Sequence, residues 1–275
     1  MTATISATMP EQARLIDFRS LGGSGPDALL LHGFGSDRMS WLANQTAIGA
    51  VAKVFALDLP GHGASGLDVG EGTVIGLAAR VATLLDKHGL SGVHLIGHSL
   101  GGAIAVLLAQ VRPELVASLV LIAPAGLGCG VDPAFLSAFA ALTEPEETQT
   151  LLERLVVRPR LINKHLVALV LAQLAKPGAR QALKAIAEGI LRGDAAIEAA
   201  AEAVAARALP RLVIWGEDDS INPLNQSKLA AFGGEREIVP GTAHLPHIED
   251  PRRFNERIAM FLRDQAVNGS PASAG

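Results

Sequence analysis

Residues 97–101 read Gly-His-Ser-Leu-Gly, with an apolar run, Val93-His94-Leu95-Ile96, before them and an Ala- and Leu-rich stretch, Ala103 to Gln110, after them. A strand that turns through a serine straight into a helix lifts the hydroxyl clear of the sheet edge. So tight a turn brings together the side chains two residues before and two residues after the serine. Gly97 and Gly101 remove that collision. The backbone N–H groups beside Ser99 then lie at a helix N-terminus, where developing negative charge is favoured. The chemistry that fits is nucleophilic attack by Ser99. An unassisted hydroxyl is a weak nucleophile, so it needs a base, an acid to orient the base, and an oxyanion site.

Candidates for all three follow the chain order expected of such a serine, oxyanion loop, Ser, acid, His. His244 is the favoured base, because Gly241 opens the loop before it and Pro246 closes it behind. Its competitor His247 lies nearer the final helix, where it packs. His98 is next to the nucleophile, and an adjacent side chain on such a turn points elsewhere. His32 reads as a structural residue of the oxyanion loop, and His62, His88, His94 and His165 as ordinary surface or core histidines. Glu217, Asp218 and Asp219 are three consecutive acids after one apolar strand, and each is a candidate partner for the base. The oxyanion donors are expected to be the backbone N–H of Leu100, directly after Ser99, and of Phe34 in His32-Gly33-Phe34-Gly35.

The elements that must hold these residues are legible in the hydropathy pattern. Arg14 to Ser20 alternates and can be an early strand. Unbroken apolar runs at 28–31, 54–57, 93–96, 119–122 and 212–215, followed by a shorter strand at 236–239, alternate with helical stretches. Such runs describe a parallel sheet covered on both faces, and ligands bind at the carboxyl ends of its strands. Trp41 to Val51 and Thr73 to His88 read as helices, and so does the stretch from about Pro251 to Arg263. Between about Cys129 and Ala208 no strand is predicted. The helical stretches there are 136–142, 148–157, 163–175, 181–191 and 195–206. Such a length exceeds one crossover and is read as a helical cap inserted over the sheet's carboxyl edge. Asn268 to Gly275 reads as a disordered tail.

Composition removes several function classes. The chain has 275 residues, 49% hydrophobic, and a formal charge of −4, so neither nucleic acid nor an anionic membrane surface is an expected partner. No apolar run approaches the ~20 residues that span a bilayer, and Met1 to Glu11 lacks the pattern of a signal peptide. A single cysteine, Cys129, forms no intrachain disulfide and suits a reducing, cytoplasmic location. The eight histidines contain no His-Glu-x-x-His, and one cysteine builds no thiolate cluster, so no metal site and no cofactor are expected.

Together Leu-His-Gly-Phe-Gly, Asp-Leu-Pro-Gly-His-Gly-Ala-Ser, Gly-His-Ser-Leu-Gly-Gly, Trp-Gly-Glu-Asp-Asp-x-x-x-Pro and Gly-x-x-His-x-Pro-x-x-Glu-x-Pro resemble the α/β-hydrolase superfamily. The resemblance covers nearly all of the chain outside the cap and tails. It implies a mostly parallel eight-stranded sheet with helices on both faces, a discontinuous core of residues 1–128 and 209–275, and a cap at 129–208. It also selects Asp219 among the three acids. Leu-Val-Leu-Ile-Ala-Pro-Ala-Gly-Leu-Gly and the Phe34-to-Trp41 spacing are similar to two groups within the superfamily. One is the hydrolase-like catalytic domain of the dihydrolipoamide acetyltransferase component of acetoin-cleaving systems, and this likeness extends into the cap. The other is the carbon–carbon bond hydrolases of aromatic-ring degradation. Those hydrolases carry Trp after the catalytic His, where this chain has Leu245, and the acetoin-system proteins begin with a lipoyl domain that is not read here. Ser99 sets the chain apart from dehalogenases and epoxide hydrolases, which use a carboxylate nucleophile. The expected function is a serine hydrolase of a small, largely apolar ester or thioester. Acyl transfer, carbon–carbon hydrolysis and non-catalytic binding are the alternatives.

Overall fold

The computed structural model describes residues 15–269. Seven strands form one sheet: β1 (Phe18–Gly22), β2 (Asp27–Leu31), β3 (Lys53–Leu57), β4 (Val93–His98), β5 (Val116–Ile122), β6 (Arg211–Gly216) and β7 (Glu235–Val239). Their order is β1-β3-β2-β4-β5-β6-β7. Only β1 is antiparallel to its neighbour. The pattern of the chain predicts seven strands, and all seven are found. The eighth strand implied by resemblance has no counterpart among the described residues. β1 begins at Phe18, and Arg14 and Met1 to Glu11 lie outside those residues.

The unbroken apolar runs are explained by burial on both faces. Leu29, Leu31, Leu95, Leu119, Leu121, Val213 and Trp215 point to one side. They pack there with α2 (Val74–Lys87) and α3 (Leu100–Val111). Their alternates Ala28, Leu30, Ala56, Ile96, Val120, Leu212 and Ile214 point to the other. There they meet Trp41, with Ile48 of α1 (Gln45–Gly49) and with Phe254, Ile258 and Phe261 of the C-terminal helix. Full burial of one such side chain is worth about 1.5–3 kcal/mol, so a polar residue on either face would be costly. Register brings Leu31 level with Leu57 and Gly97, His98 with Ile122, and Gly216 with Val239. The loops leaving β2, β4, β6 and β7 therefore open at one edge.

Between β5 and β6 lie four helices: α4 (Pro133–Ala141), α5 (Pro145–Glu153), α6 (Lys164–Leu174) and α7 (Ala179–Ala205). α7 is one continuous helix of 27 residues, not the two expected. Gly193 does not break it, because a helix-interior glycine costs only ~1 kcal/mol and α7 packs on α2, α3 and α4. Its contact with the loop before α2 is backbone to backbone. A Cβ on Gly189 would stand 2.1 Å from the Gly72 carbonyl oxygen, and one on Gly72 would stand 2.4 Å from the Ala185 carbonyl carbon. α5 and α6 pack mainly on each other and leave Leu166 and Leu169 exposed.

Trp41 to Val51 is not one helix. It divides into a 3-10 turn at Arg38–Trp41 and the short α1. Asn44 stands at the break, and its side chain does not cap α1. It donates instead to the His247 carbonyl and to Asn255 Oδ1, both at 2.9 Å. These tertiary bonds outweigh local helix propensity. After β6 come α8 (Gln226–Phe232), α9 (Pro246–Glu249) and α10 (Pro251–Gly269). α10 takes in the first two residues of the expected tail, and 270–275 lie outside the described residues. Among the described residues no helix is long and apolar enough to cross a membrane.

Candidate active site

Ser99 sits between β4 and α3 with φ 49° and ψ −110°, one of two non-glycine residues with positive φ among those described. Such a backbone costs about 1–3 kcal/mol and persists only where its surroundings over-determine it. The surroundings do. Ser99 N–H donates to the Ile122 carbonyl at 2.9 Å, and the Ser99 carbonyl accepts from Ala103 and Ala125 N–H at 3.0 and 3.1 Å. A Cβ on Gly97 would stand 2.4 Å from the Gly101 oxygen, and one on Gly101 would stand 2.2 Å from the Leu31 oxygen. Both glycines are required by crowding, as the turn predicts. Leu100 is the first residue of α3, where helix N–H groups have no intrahelical acceptor.

The loop after β2 lies against this turn. A Cβ on Gly33 would stand 3.4 Å from Ser99 Cβ and 2.6 Å from His98 Nδ1. Two buried imidazoles hold the loop. His32 accepts from Leu59 N–H at 2.8 Å through Nε2, so its Nδ1–H donates to the Gly33 carbonyl, also at 2.8 Å. His62 accepts from Gly35 N–H at 3.0 Å through Nε2, and its Nδ1–H donates to the Pro60 carbonyl at 3.0 Å. Burial holds His32 down to about 4. Burial, with His32 nearby, holds His62 down to about 3. Both are therefore neutral, with the tautomer set by their partners. His32 has the structural place expected of it. His62 was missed, although Asp-Leu-Pro-Gly-His lies at the end of β3, beside β2. Asp58 was missed too. Its carboxylate accepts from Arg38 and Ala64 N–H at 2.8 Å and pairs with the Arg38 guanidinium. Phe34 is half-buried, edge-on to His62 at 6.1 Å and to Phe139 of α4 at 5.5 Å between ring centroids.

Asp219 and His244 leave β6 and β7 and meet at the same edge. His244 Nδ1 lies 2.8 Å from Asp219 Oδ2, and both side chains are buried. Asp219 Oδ1 accepts from Ile221 and Asn222 N–H at 2.9 and 3.0 Å, which fixes the carboxylate. Glu217 and Asp218 are exposed. His98 does not face the turn it adjoins. Its Nε2–H donates to the His244 carbonyl at 2.9 Å, and the two rings are edge-on at 4.8 Å. Burial, with His244 and His247 adjacent, holds His98 well below the usual imidazole range. His247 packs between Trp41, His98 and Phe254. Neither of its ring nitrogens has a partner among the described residues, and burial holds it down to about 3. At this edge His244 sits on Asp219, the 33–35 loop lies against Ser99, and His98, the residue before Ser99, bonds the His244 carbonyl.

Arg154, Arg158, Arg160 and Lys164 lie close together in the sequence, and two of them are engaged within the molecule. Arg154 pairs with Asp132 at 2.6 Å and lies over the Phe135 ring, and Arg158 donates to the Glu249 carbonyl at 2.8 Å. Asp86 and Lys87 lie at the end of α2, where Asp86 pairs with Arg112.

Comparison with known proteins identifies the family and the fold. Residues 28–257 match the model of the Alpha/beta hydrolase family. The chain is 34% identical over 253 residues to the dihydrolipoyllysine-residue acetyltransferase component of the acetoin cleaving system of Pseudomonas putida, covering 91% of this chain and 67% of that protein. It is 30% identical to the pimeloyl-[acyl-carrier protein] methyl ester esterase of Aeromonas hydrophila subsp. hydrophila, over 87% of this chain and 96% of that one. The meta-cleavage product hydrolase from Pseudomonas fluorescens IP01 superposes with a TM-score of 0.79 at 20% identity, over 90% of this chain and 94% of that one, a likeness of fold. With an elbow serine at the carboxyl edge of a mostly parallel sheet and a family match across nearly the whole core, the chain belongs to the alpha/beta hydrolase family.

Proposed function

We propose that the protein is a serine hydrolase of a small, largely apolar acyl compound, an ester or thioester, and that residues 129–208 form a cap over its active edge. The observation that carries this reading is the buried 2.8 Å His244–Asp219 pair beside the strained Ser99 turn. Ser99 Oγ attacks the acyl carbon while its proton passes to His244 Nε2. The developing oxyanion is held by the N–H groups of Phe34 and Leu100, each worth about 2.7–4 kcal/mol in comparable sites. His244 returns the proton to the leaving oxygen or sulfur. Water then attacks the acyl-enzyme, and its proton takes the same route. Asp219 holds the imidazole in the tautomer whose Nε2 is free. None of these steps calls on a cofactor.

Asp219→Asn should cut kcat by about three to four orders of magnitude, because the amide stabilises the wrong tautomer. Asp218→Asn, at an exposed position, should change it by no more than about twofold. Steady-state kinetics of the two variants settles the choice of acid, and the reverse pattern would move the role to Asp218.

Acyl transfer is the second reading, favoured by the 34% identity to the acetoin-system component. It uses the same acyl-enzyme and differs in what removes the acyl group. A thiol acceptor competes with water only when bound in place. Coenzyme A would need basic groups for its phosphates, and Arg154 and Arg158 are engaged elsewhere. Hydrolysis is therefore the expected dominant activity. The test supplies a short acyl ester with and without millimolar coenzyme A or dihydrolipoamide and measures the product ratio. Acyl thioester as the major product replaces the hydrolase reading with transfer.

A further inference from the structure

We infer that Glu249 is a positioning residue that couples the seating of the helical segment to His244. The inference rests on His244 being the base. Glu249 ends α9 with its side chain buried. One carboxylate oxygen, Oε2, accepts from Ala243 N–H at 2.6 Å, six residues back along the chain. The other, Oε1, accepts from Val157 and Arg158 N–H at 2.8 and 3.2 Å, in the link between α5 and α6. The Arg158 guanidinium closes the contact by donating to the Glu249 carbonyl at 2.8 Å.

His244 is therefore pinned at three points. The preceding N–H is held by Glu249, the carbonyl by His98, and the imidazole by Asp219. Only the first pin is shared with the helical segment. A carboxylate serves here because both oxygens must accept. The amide of a glutamine offers one acceptor and turns an NH2 toward a backbone N–H on the other side. Loss of either half frees the loop to shift or the 157–158 link to lift. Displacement of a reacting group by ~1 Å costs about 100-fold in rate.

The experiment compares Glu249→Gln, His244→Ala and Ile258→Ala. The last destabilises the core under the C-terminal helix without removing a hydrogen bond of the loop. Expected for Glu249→Gln is a kcat loss of about 100-fold with KM nearly unchanged, and a shifted or broadened proton resonance for His244 Nδ1–H. Ile258→Ala should keep the wild-type kcat and that resonance per folded molecule. A Glu249→Gln enzyme with wild-type kcat, or one matching Ile258→Ala at equal folded fraction, overturns the inference. An active His244→Ala instead overturns the assignment of the base. If Glu249→Gln does not fold, native-state hydrogen exchange of the wild type decides. The Ala243, Val157 and Arg158 amides should open together, and independent opening overturns the coupling.

Discussion

Ser99→Ala and His244→Ala should each lower kcat by about four to six orders of magnitude. On the proposed mechanism the two losses should not add, because the hydroxyl and the imidazole would act as one unit in forming and breaking the acyl-enzyme. A serine-directed phosphonate should label the wild-type protein once, fail on Ser99→Ala, and react slowly with His244→Ala. His247→Ala is the informative contrast. Removing that fully buried ring from between Trp41 and Phe254 should cost about 2–4 kcal/mol of stability. The molecules that fold should still turn over, since Asp219 bonds His244 and not His247. A dead His247→Ala beside an active His244→Ala would transfer the base to the other histidine.

Stability should collapse in acid over a window that the buried imidazoles define. Burial holds His32 at about 4, and His62 and His247 at about 3, with His98 also well below its usual range. In the unfolded chain a histidine titrates at about 6.5. Between those values the unfolded state binds protons that the native state excludes, so unfolding is favoured as pH falls. Each such group contributes stability that is complete above about 6.5 and is lost progressively below it, at up to ~1.4 kcal/mol per pH unit. All four are buried, so solvent screening does little to reduce the effect. Urea unfolding midpoints should be level from about pH 8 to 7 and fall steeply from about 6 to 4.5. A midpoint that stays level down to 4.5 would show that these rings charge freely in the folded protein.

The site was more legible in the sequence than its supports were. Ser99 announces itself because a turn that crowded tolerates only glycine at 97 and 101, a local constraint written in residue types. The strands were legible for a similar reason, since a sheet buried on both faces leaves no polar position in Leu29–Leu31 or Leu119–Ile122. Choosing Asp219 over its two acidic neighbours needed the resemblance. The choice accords with Asp219 alone being buried there, but burial is not encoded in three consecutive carboxylates. What escaped notice depends on partners distant in the chain. His62 supports Gly35 from the next strand, Asn44 gives up its helix cap to bond His247, and Glu249 reaches back to Ala243 and across to Val157. Local pattern carries no mark of such bonds. The continuity of α7 was not legible for the same reason, because the helical pattern lapses at 192–194 and only the packing surface beneath it carries the helix through.

The backbone contact between α7 and the loop before α2 divides the segment's freedom to change. Any side chain at Gly72 or Gly189 would drive the helix off the core, so this face of α7 is closed to stepwise mutation. α4, α5 and α6 touch the rest chiefly through Phe139 on the 33–35 loop, and through the backbone N–H groups of 157–158, which any side chain there leaves free to meet the Glu249 carboxylate. A lineage drifting toward new substrates can therefore rewrite Pro133 to Leu174 while α7 stays fixed. On the proposed reading of this segment as a cap, new specificities should arise from that stretch by gradual substitution, with the reacting edge left intact.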